Sequence, residues 1–231
     1  MSFSEQAPPK TEIALTINGQ AVRVPEGTSL YDAARQLGIE IPVLCHHSRL
    51  APVGVCRLCV VDVGERVLVS ACTRACSPGM NVRTDTPEIT GHRRVLTALL
   101  LSDYPERSRR EETSGDDALL SLGRSLGVEE IPFPDGLAAG AFREKDDSSP
   151  VIAVDHQACI LCDRCIRACA DLQHNDVIGR TGKGYSARIA FDLNQPMGHS
   201  RCVSCGECMA VCPTGALTDK TLSQPWRIRK S

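Results

Sequence analysis

The chain has 231 residues and a formal net charge of −2, with 42% hydrophobic but only 3% aromatic residues. This length suits one large domain or two small ones, and the near-neutral charge argues against a nucleic-acid partner. The sequence shows neither a secretion signal nor a run of the roughly 18–20 apolar residues that crosses a bilayer. We therefore expect a cytoplasmic protein without membrane insertion, whose thirteen cysteines bind metal instead of forming disulfides.

The N-terminal sequence predicts a hairpin followed by a helix. The run Glu12–Ile17 alternates polar and apolar residues, and an Asn-Gly turn signal separates it from a second alternating run, Ala21–Val24. Thr28 or Ser29 can cap a helix, which Gly38 then ends. Three further short strand candidates follow a cysteine-rich loop. The pattern predicts a small α+β sheet crossed by one helix.

The middle of the chain contains no cysteine and reads as a helical connection with a linker. One helix is expected to run up to Leu101, a second over Ala118–Val128, and the Gly- and Pro-rich sequence after it is expected to be linker. The predicted divisions are residues 11–85 for an N-terminal metal domain, 86–149 for the connection, 150–220 for a C-terminal metal domain, and 221–231 for a tail.

Two runs of four cysteines share the spacing C-x2-C-x2-C-x3-C, which is that of bacterial two-cluster ferredoxins. In this pattern a tight loop supplies three ligands to one cluster, and the fourth cysteine begins a helix and reaches the other cluster. The two predicted [4Fe–4S] ligand sets are Cys159, Cys162, Cys165 and Cys212, and Cys169, Cys202, Cys205 and Cys208. Zinc is the alternative, but two zinc sites would not require the third and fourth cysteine of each run.

The N-terminal module has a different cysteine pattern, C-x10-C-x2-C-x12-C, which predicts a [2Fe–2S] cluster on a small sheet. Its first loop is longer than that of plant-type ferredoxins, and zinc is again the alternative. The predicted ligands are Cys45, Cys56, Cys59 and Cys72. Gly54 is expected where the backbone approaches the sulfurs, and Arg57 beside the cluster.

Four other residues near these motifs have side chains that can bind metal. Cys76 is interpreted as a spare buried thiol, with an alternative fourth ligand as the second possibility. His46 and His47 would invite a Rieske-type site, but the Cys56–Cys59 pair lacks the second histidine that such a site needs. These histidines, and His156, are expected to be neighbours of the metal centres.

Patterns typical of catalysis are missing from the sequence. It has no Gly-rich dinucleotide loop after a strand, no P-loop and no recognisable Ser/His/Asp arrangement. We expect no catalytic site of the chain's own, so that it carries electrons for another protein.

Two stretches of the sequence resemble known iron–sulfur proteins. “IPVLCHHSRLAPVGVCRLCVVDV” with “ACTRACSPGMNVRT” is similar to the N-terminal [2Fe–2S] domain of three classes of protein. These are the largest peripheral-arm subunit of respiratory complex I, the diaphorase small subunit of NAD-reducing hydrogenases and NAD-dependent molybdenum formate dehydrogenases. “DDSSPVIAVDHQACILCDRCIRACADLQ” with “RCVSCGECMAVCPTGALTDK” looks most like the ferredoxin-like segment of the formate dehydrogenases. The resemblance covers roughly Ile13–Asp103 and Ser148–Lys220.

The resemblance implies an α+β protein in which a β-grasp [2Fe–2S] domain is joined to a bacterial-type two-[4Fe–4S] ferredoxin domain. It also reveals two departures. Proteins of this superfamily usually carry a His-x3-Cys-x2-Cys-x5-Cys cluster after the apolar helix, whereas “SDYPERSRREETSGDDALLSL” has no cysteine, so this cluster is predicted to be absent. The formate dehydrogenases also continue into a molybdenum-pterin domain, which we expect to be replaced by another chain.

The leading functional hypothesis is an iron–sulfur subunit of a multisubunit oxidoreductase. It would relay single electrons between a flavin/NAD(P)H subunit and a formate dehydrogenase-like or hydrogenase-like catalytic subunit, through one [2Fe–2S] and two [4Fe–4S] clusters. A free ferredoxin-type carrier is the alternative, although such carriers are usually smaller and strongly acidic. A redox-sensing regulator is a third hypothesis, but no DNA-binding pattern supports it.

Overall fold

The computed structural model describes residues 11–132 and 144–223. The linker residues 133–143 and the predicted tail from residue 224 onward lie outside this description. The described chain divides into two compact units. The first comprises the residues up to Val43 and Arg57–Gly91, and the second comprises Leu44–Cys56 and the residues from His92 onward. The loop Leu44–Cys56 therefore belongs to a different unit from the residues that flank it in sequence.

The first unit is built on a three-stranded mixed sheet. Its elements are β1 (Glu12–Ile17), β2 (Gln20–Pro25), α1 (Leu30–Gln36), β3 (Val60–Val61), β4 (Val69–Ser70) and β5 (Asn81–Val82). β1 is central, because it pairs antiparallel with β2 and parallel with β5. β3 and β4 form a separate antiparallel pair. A hairpin sheet with one helix packed on it is the predicted α+β arrangement.

The hairpin follows directly from the alternation of its residues. Ile13, Leu15 and Ile17 are buried, whereas the residues between them are more exposed, so one face of β1 supplies the core. Asn18 and Gly19 connect β1 to β2 with φ values of 50° and 80°. Positive φ at both positions is the requirement of a tight hairpin turn, which Asn-Gly meets at little cost. The predicted hairpin is confirmed.

Helix α1 is fixed at both ends by residues that the sequence indicates. The Ser29 hydroxyl accepts a hydrogen bond from the Asp32 backbone N–H at 3.0 Å, which satisfies a donor of the first turn. Gly38 follows the helix with a φ of 72°, a conformation that glycine adopts without strain. Leu30 and Ala33 are fully buried against the apolar face of the sheet. The predicted cap and stop of this helix are confirmed.

The second unit combines short helices with two small antiparallel sheets. Its elements, with the start of α2 in the first unit, are α2 (Pro87–Ser102), α3 (Arg109–Thr113), α4 (Ala118–Ser125), β6 (Lys145–Asp146), β7 (Ile152–Asp155), α5 (Arg164–Arg167), β8 (Ile178–Thr181), β9 (Arg188–Phe191), α6 (Glu207–Val211) and β10 (Leu217–Asp219). The strand orders are β10-β7-β6 and β8-β9. Within the described residues, no helix is long and apolar enough to cross a membrane.

A buried polar network occupies the cysteine-free segment after α2. The Asp117 carboxylate accepts hydrogen bonds from the hydroxyls of Tyr104 and Ser108, both at 2.5 Å, and caps α4 through the backbone N–H of Leu119. Asp117 is fully buried, so these donors replace its lost hydration. The Tyr104 hydroxyl in turn accepts from the Gly215 backbone N–H at 3.1 Å. The sequence predicted helices here, but not α3 or this network.

Close packing around Leu30 generates a test of the first unit. Leu30→Ala removes a fully buried side chain and leaves a cavity, which typically costs about 2–5 kcal/mol. We expect a clearly lower unfolding temperature in scanning calorimetry of the iron-loaded protein. Leu193→Ala is the matched control, because Leu193 is 94% exposed and such a change usually costs less than about 0.5 kcal/mol. Equal unfolding temperatures for the two variants would contradict the described core.

Candidate metal centres

The two cysteine runs of the second unit fold into corresponding loops. Leu161 and Ser204, which occupy the same position in the two runs, have φ values of 53° and 55°. Asp163 and Gly206, again at one shared position, have φ values of 59° and 81° and each precedes a short helix. Left-handed backbone at a non-glycine residue is uncommon, so its recurrence at matched positions supports a duplicated loop-and-helix unit.

Cysteines from both runs meet at a single small cavity. Its lining includes three cysteines of the first run, Cys159, Cys162 and Cys165, and one of the second, Cys212. Burial, followed by the proximity of Cys212, raises the pKa of the Cys162 thiol to about 12. Burial also raises the pKa of Cys165 well above its ordinary value, with Cys162, Cys159 and Cys212 adding to the effect. Four cysteines therefore line one small cavity, three of them buried and Cys159 half-buried.

The remaining cysteines of the second run form a more exposed group. Burial, followed by the proximity of Cys202 and Cys205, raises the pKa of the Cys208 thiol to about 12. Cys208 is buried, Cys202 is half-buried and Cys205 is exposed. Cys169, the fourth cysteine of the first run, is buried in the π-helical turn that continues α5, and Cys212 directly follows α6, so the prediction that the fourth cysteine begins a helix is wrong. The three second-run cysteines Cys202, Cys205 and Cys208 thus include one exposed residue, whereas no cysteine at the first cavity is exposed.

The four cysteines predicted to bind the [2Fe–2S] cluster are divided between the two units. In the first unit, the Cys59 thiol donates to the Cys72 sulfur at 3.4 Å. In the second unit, the Cys45 sulfur accepts a hydrogen bond from the Cys56 backbone N–H at 3.5 Å. Gly54, two residues before Cys56, has a φ of 64°, a conformation that glycine adopts without strain. The predicted ligand set therefore consists of two contacting pairs, Cys59 with Cys72 in the first unit and Cys45 with Cys56 in the second.

The other residues that the sequence places near the metal centres have varied surroundings. Arg57 has a φ of 57° and donates from its guanidinium to the Leu68 carbonyl at 3.4 Å, and its role beside a cluster remains a prediction. Cys76 is buried in the same hydrophobic cluster as Cys59 and Cys72. Burial, followed by the proximity of Arg164, lowers the pKa of His47. His46 and His156 are both buried.

Two arginines of the first run connect it to the loop that carries Cys45. Arg167 is buried, and its Nη2 donates to the Cys45 carbonyl at 2.6 Å and to the Cys162 carbonyl at 3.4 Å. Arg164 donates from Nη2 to the His46 carbonyl and from Nη1 to the Val211 carbonyl at 3.3 Å. A small apolar contact supports the same junction, formed by Leu50, Ala168, Val211 and Leu172. All these residues belong to the second unit.

The last cysteine and the residues after it, Cys212–Gly215, are bound by the cysteine-free region that follows α2. The Cys212 carbonyl accepts a hydrogen bond from Arg110 Nη1 at 2.7 Å, and the Pro213 carbonyl accepts one from the Ala118 N–H at 2.8 Å. Gly215 lies so close to Ser108 that an added Cβ would stand 2.7 Å from the serine Cβ. Only glycine fits at position 215 without displacing its neighbours. These contacts show that residues distant in the sequence help to position Cys212.

Family models match both cysteine-rich regions. Residues 10–87 match the model of a 2Fe-2S iron-sulfur cluster binding domain, and residues 149–218 match that of the NADH-quinone oxidoreductase subunit 3 ferredoxin-like domain. The NADP-reducing hydrogenase subunit HndD of Solidesulfovibrio fructosivorans is 36% identical over 213 residues, covering 90% of this chain and 36% of the relative. The mitochondrial NADH-ubiquinone oxidoreductase 78 kDa subunit of Neurospora crassa is 30% identical over 235 residues, covering 100% and 31%.

A solved structure is similar over most of its length. A chain in the crystal structure of an NAD+-reducing [NiFe]-hydrogenase in the H2-reduced state aligns with a TM-score of 0.79 and 27% identity, covering 90% of this chain and 87% of that chain. The chain is a homologue of these hydrogenase and complex I subunits.

This homology confirms the predicted fold class. The protein is α+β, with an N-terminal 2Fe–2S domain and a C-terminal ferredoxin domain of the 4Fe–4S type. The particular likeness to formate dehydrogenases stays a prediction, as do the domain boundaries. The chain spans about a third of the length of the two curated relatives named above.

The chemistry of the donor residues in this chain suits iron–sulfur centres, although no three or more His, Cys, Asp or Glu side chains of the described residues are grouped so as to hold a single metal ion. The donor set is all thiol, and all thirteen cysteines are free of disulfides and lie in the described residues. The Arg164 Nε–H is buried and has no acceptor within the described part of the chain, so it can donate to a ligand sulfur or a sulfide. Sequence reasoning missed Arg164 and Arg167. Two arginines within a run of predicted cysteine ligands were a usable signal of positive charge beside a metal centre.

Cys76 provides a test of the described environment of the first unit. Burial is the main cause that raises the pKa of its thiol above the ordinary value, so the reactive thiolate is scarce at neutral pH. We expect iodoacetamide to leave Cys76 unmodified in the native iron-loaded protein near pH 7.5 but to modify it after denaturation. Its native modification rate should still be rising at pH values where an ordinary thiol has reached its plateau. Rapid native modification near neutral pH, measured by peptide mass spectrometry, would contradict this burial.

Proposed function

We propose that this protein is an iron–sulfur electron-transfer subunit of a multisubunit oxidoreductase. It relays single electrons between a flavin/NAD(P)H subunit and a second catalytic subunit of formate dehydrogenase-like or hydrogenase-like type, and it has no catalytic site of its own. The homologous relatives support this role, since they are subunits of NADP-reducing hydrogenase and NADH-ubiquinone oxidoreductase. The thirteen free cysteines are in keeping with a cytoplasmic setting.

The observation that carries the proposal is the cavity shared by the two cysteine runs. Three thiols of the first run and Cys212 of the second line it together, which is the exchange of ligands expected for a two-cluster ferredoxin. In this assignment one [4Fe–4S] cluster binds Cys159, Cys162, Cys165 and Cys212, and the other binds Cys169, Cys202, Cys205 and Cys208. Bound iron–sulfur clusters supply reversible one-electron chemistry.

A [2Fe–2S] cluster completes the proposed set of cofactors. Its ligands in this proposal are Cys45, Cys56, Cys59 and Cys72, in keeping with the 2Fe–2S domain that covers residues 10–87. The backbone N–H of Cys56 donates to the Cys45 sulfur, and such bonds stabilise electron-rich sulfur and raise a cluster's reduction potential.

The exposed end of the second run is the proposed contact with a redox partner. Cys205 is exposed and its neighbour Val203 is 66% exposed, whereas three of the four thiols at the first cavity are buried. An exposed ligand loop allows a partner's redox centre to approach closely. A free polycluster carrier, the alternative function, would use the same surface.

Iron content tests the proposed ligands. Anaerobically purified protein should contain about ten irons per chain for one [2Fe–2S] and two [4Fe–4S] clusters. Cys212→Ser should lose one [4Fe–4S] cluster and retain about six irons, because its thiolate is assigned to the first cavity.

Cys76→Ser is the matched control for the iron measurement, since it also removes a buried thiol of this chain but is assigned no metal. It should retain the iron content of the unaltered protein. Undiminished iron in Cys212→Ser, or bound zinc in place of iron in the unaltered protein, would contradict the assignment.

Anaerobic purification from the native host tests the subunit role. We expect a flavin-containing subunit and a catalytic subunit to remain bound in fixed ratio, and the clusters of this chain to be reduced when NADH or NADPH is added to the complex. A chain that emerges alone, fully loaded with iron and reducible, would favour the free carrier.

A further inference from the structure

We propose that Arg164 and Arg167 form a positively charged bridge that couples the [2Fe–2S] centre to the first [4Fe–4S] centre. The inference rests on the proposed function, because it takes the two sets of cysteines to bind iron. It concerns residues of the second unit only, namely α5 and the loop Leu44–Cys56.

The bridge begins with backbone contacts that reach both ligand sets. Arg167 Nη2 donates to the carbonyl of Cys45 and to that of Cys162, so one nitrogen joins a proposed ligand of each centre. Its Nη1 donates to the Ala51 carbonyl and its Nε to the Asp163 carbonyl at 3.2 Å. The guanidinium is thus held on four carbonyls, and it fixes the loop that carries Cys45 to the loop that carries Cys162.

Arg164 repeats this arrangement one turn earlier along the helix. It donates to the carbonyl of His46, which adjoins Cys45, and to that of Val211, which adjoins Cys212. Its charge interacts with the thiols of both sets, which are Cys162 and Cys212 on one side and Cys45 and Cys56 on the other. The two arginines therefore lie between groups of thiols that the proposal assigns to different centres.

The positive charge of this pair is not neutralised by carboxylates. Within the described residues, neither Arg164 nor Arg167 forms an ion pair, and the nearby Asp163 carboxylate is bound by Arg180 at 2.7 Å. Neutral carbonyls satisfy hydrogen bonds but do not cancel a buried charge, which is costly unless an opposite charge lies near. Four thiolates outweigh the charge of an iron–sulfur core, so each centre is an anion and can provide that opposite charge.

A fixed cation between two anionic centres has a definite consequence for their potentials. Reduction adds one negative charge to a centre, and a nearby guanidinium stabilises that added charge. Arg164 should therefore raise the reduction potentials of both centres. It should also weaken the repulsion between two reduced centres, since a single guanidinium acts on both.

The principal experiment compares the full iron-loaded chain with Arg164→Gln. Redox titrations followed by EPR measure the midpoint potential of each centre, which the temperature dependence of the signals distinguishes. We expect both the [2Fe–2S] and the first [4Fe–4S] potential to fall. Hydrogen exchange should become faster in peptides of the loop Leu44–Cys56, because glutamine cannot hold both carbonyls.

Arg180→Gln is the matched control. Arg180 donates to the Leu161 carbonyl at 2.8 Å and interacts with the thiols of Cys159 and Cys162, all of which belong to the first cysteine run and not to the loop Leu44–Cys56. Its removal should change at most the first [4Fe–4S] potential and leave the [2Fe–2S] potential and the loop's exchange unaltered.

Arg164→Lys separates charge from geometry and serves if the glutamine variant cannot be loaded with iron. Lysine keeps the charge but not the planar pair of donors, so both potentials should fall less than in Arg164→Gln while exchange in the loop still increases. An unchanged [2Fe–2S] potential in Arg164→Gln would overturn the proposal, as would a lysine variant identical to the unaltered protein in both readouts when the glutamine variant does not load. Absence of iron or of EPR signals in the unaltered protein would instead reject the proposed function.

Discussion

A thiol buried among other thiols is stable in the protonated state or when a cation binds it, but not as an isolated thiolate. At the cavity lined by Cys212 and three cysteines of the first run, burial and mutual proximity raise the thiol pKa values, and iron binding must reverse that effect by ligating the deprotonated sulfurs. Folding of the second unit and cluster binding are therefore expected to be coupled.

The proposed metal centres are anionic and require positive charge nearby, which the second unit supplies from arginines that form no ion pair within the described residues. Arg164 and Arg167 are held by backbone carbonyls, so their positions are fixed while their charge stays available to the surrounding sulfurs. A conventional buried ion pair would have neutralised that charge. Asp163, the carboxylate within the same cysteine run, is instead bound by Arg180, whose side chain is 44% exposed. The division of charges within one short segment is thus consistent with the demands of a metal centre.

Local rules were sufficient for the hairpin and α1, because alternation, an Asn-Gly turn, the Ser29 cap and Gly38 all act within a few residues. Cysteine spacing likewise indicated the ferredoxin loops, since three ligands on one tight loop are a local feature. The sequence could not show that the loop Leu44–Cys56 belongs to the second unit, because Arg167 contacts residues 122 and 116 positions away. The network around Asp117 was missed for the same reason, since its link to Gly215 spans 111 positions.

The cysteine-free segment after α2 contributes to the second unit without supplying a predicted metal ligand. The absence of a His/Cys3 cluster here remains a prediction, and in this segment Tyr104, Ser108 and Asp117 form a buried polar network. Arg110 and Ala118 of this region hold the carbonyls of Cys212 and Pro213, so the segment positions a ligand instead of supplying one. In the proposed relay, the predicted absence of that cluster calls for another short connection between the centres. The carbonyls of Cys45 and Cys162, joined through one nitrogen of Arg167, provide a direct polypeptide contact between a proposed ligand of each.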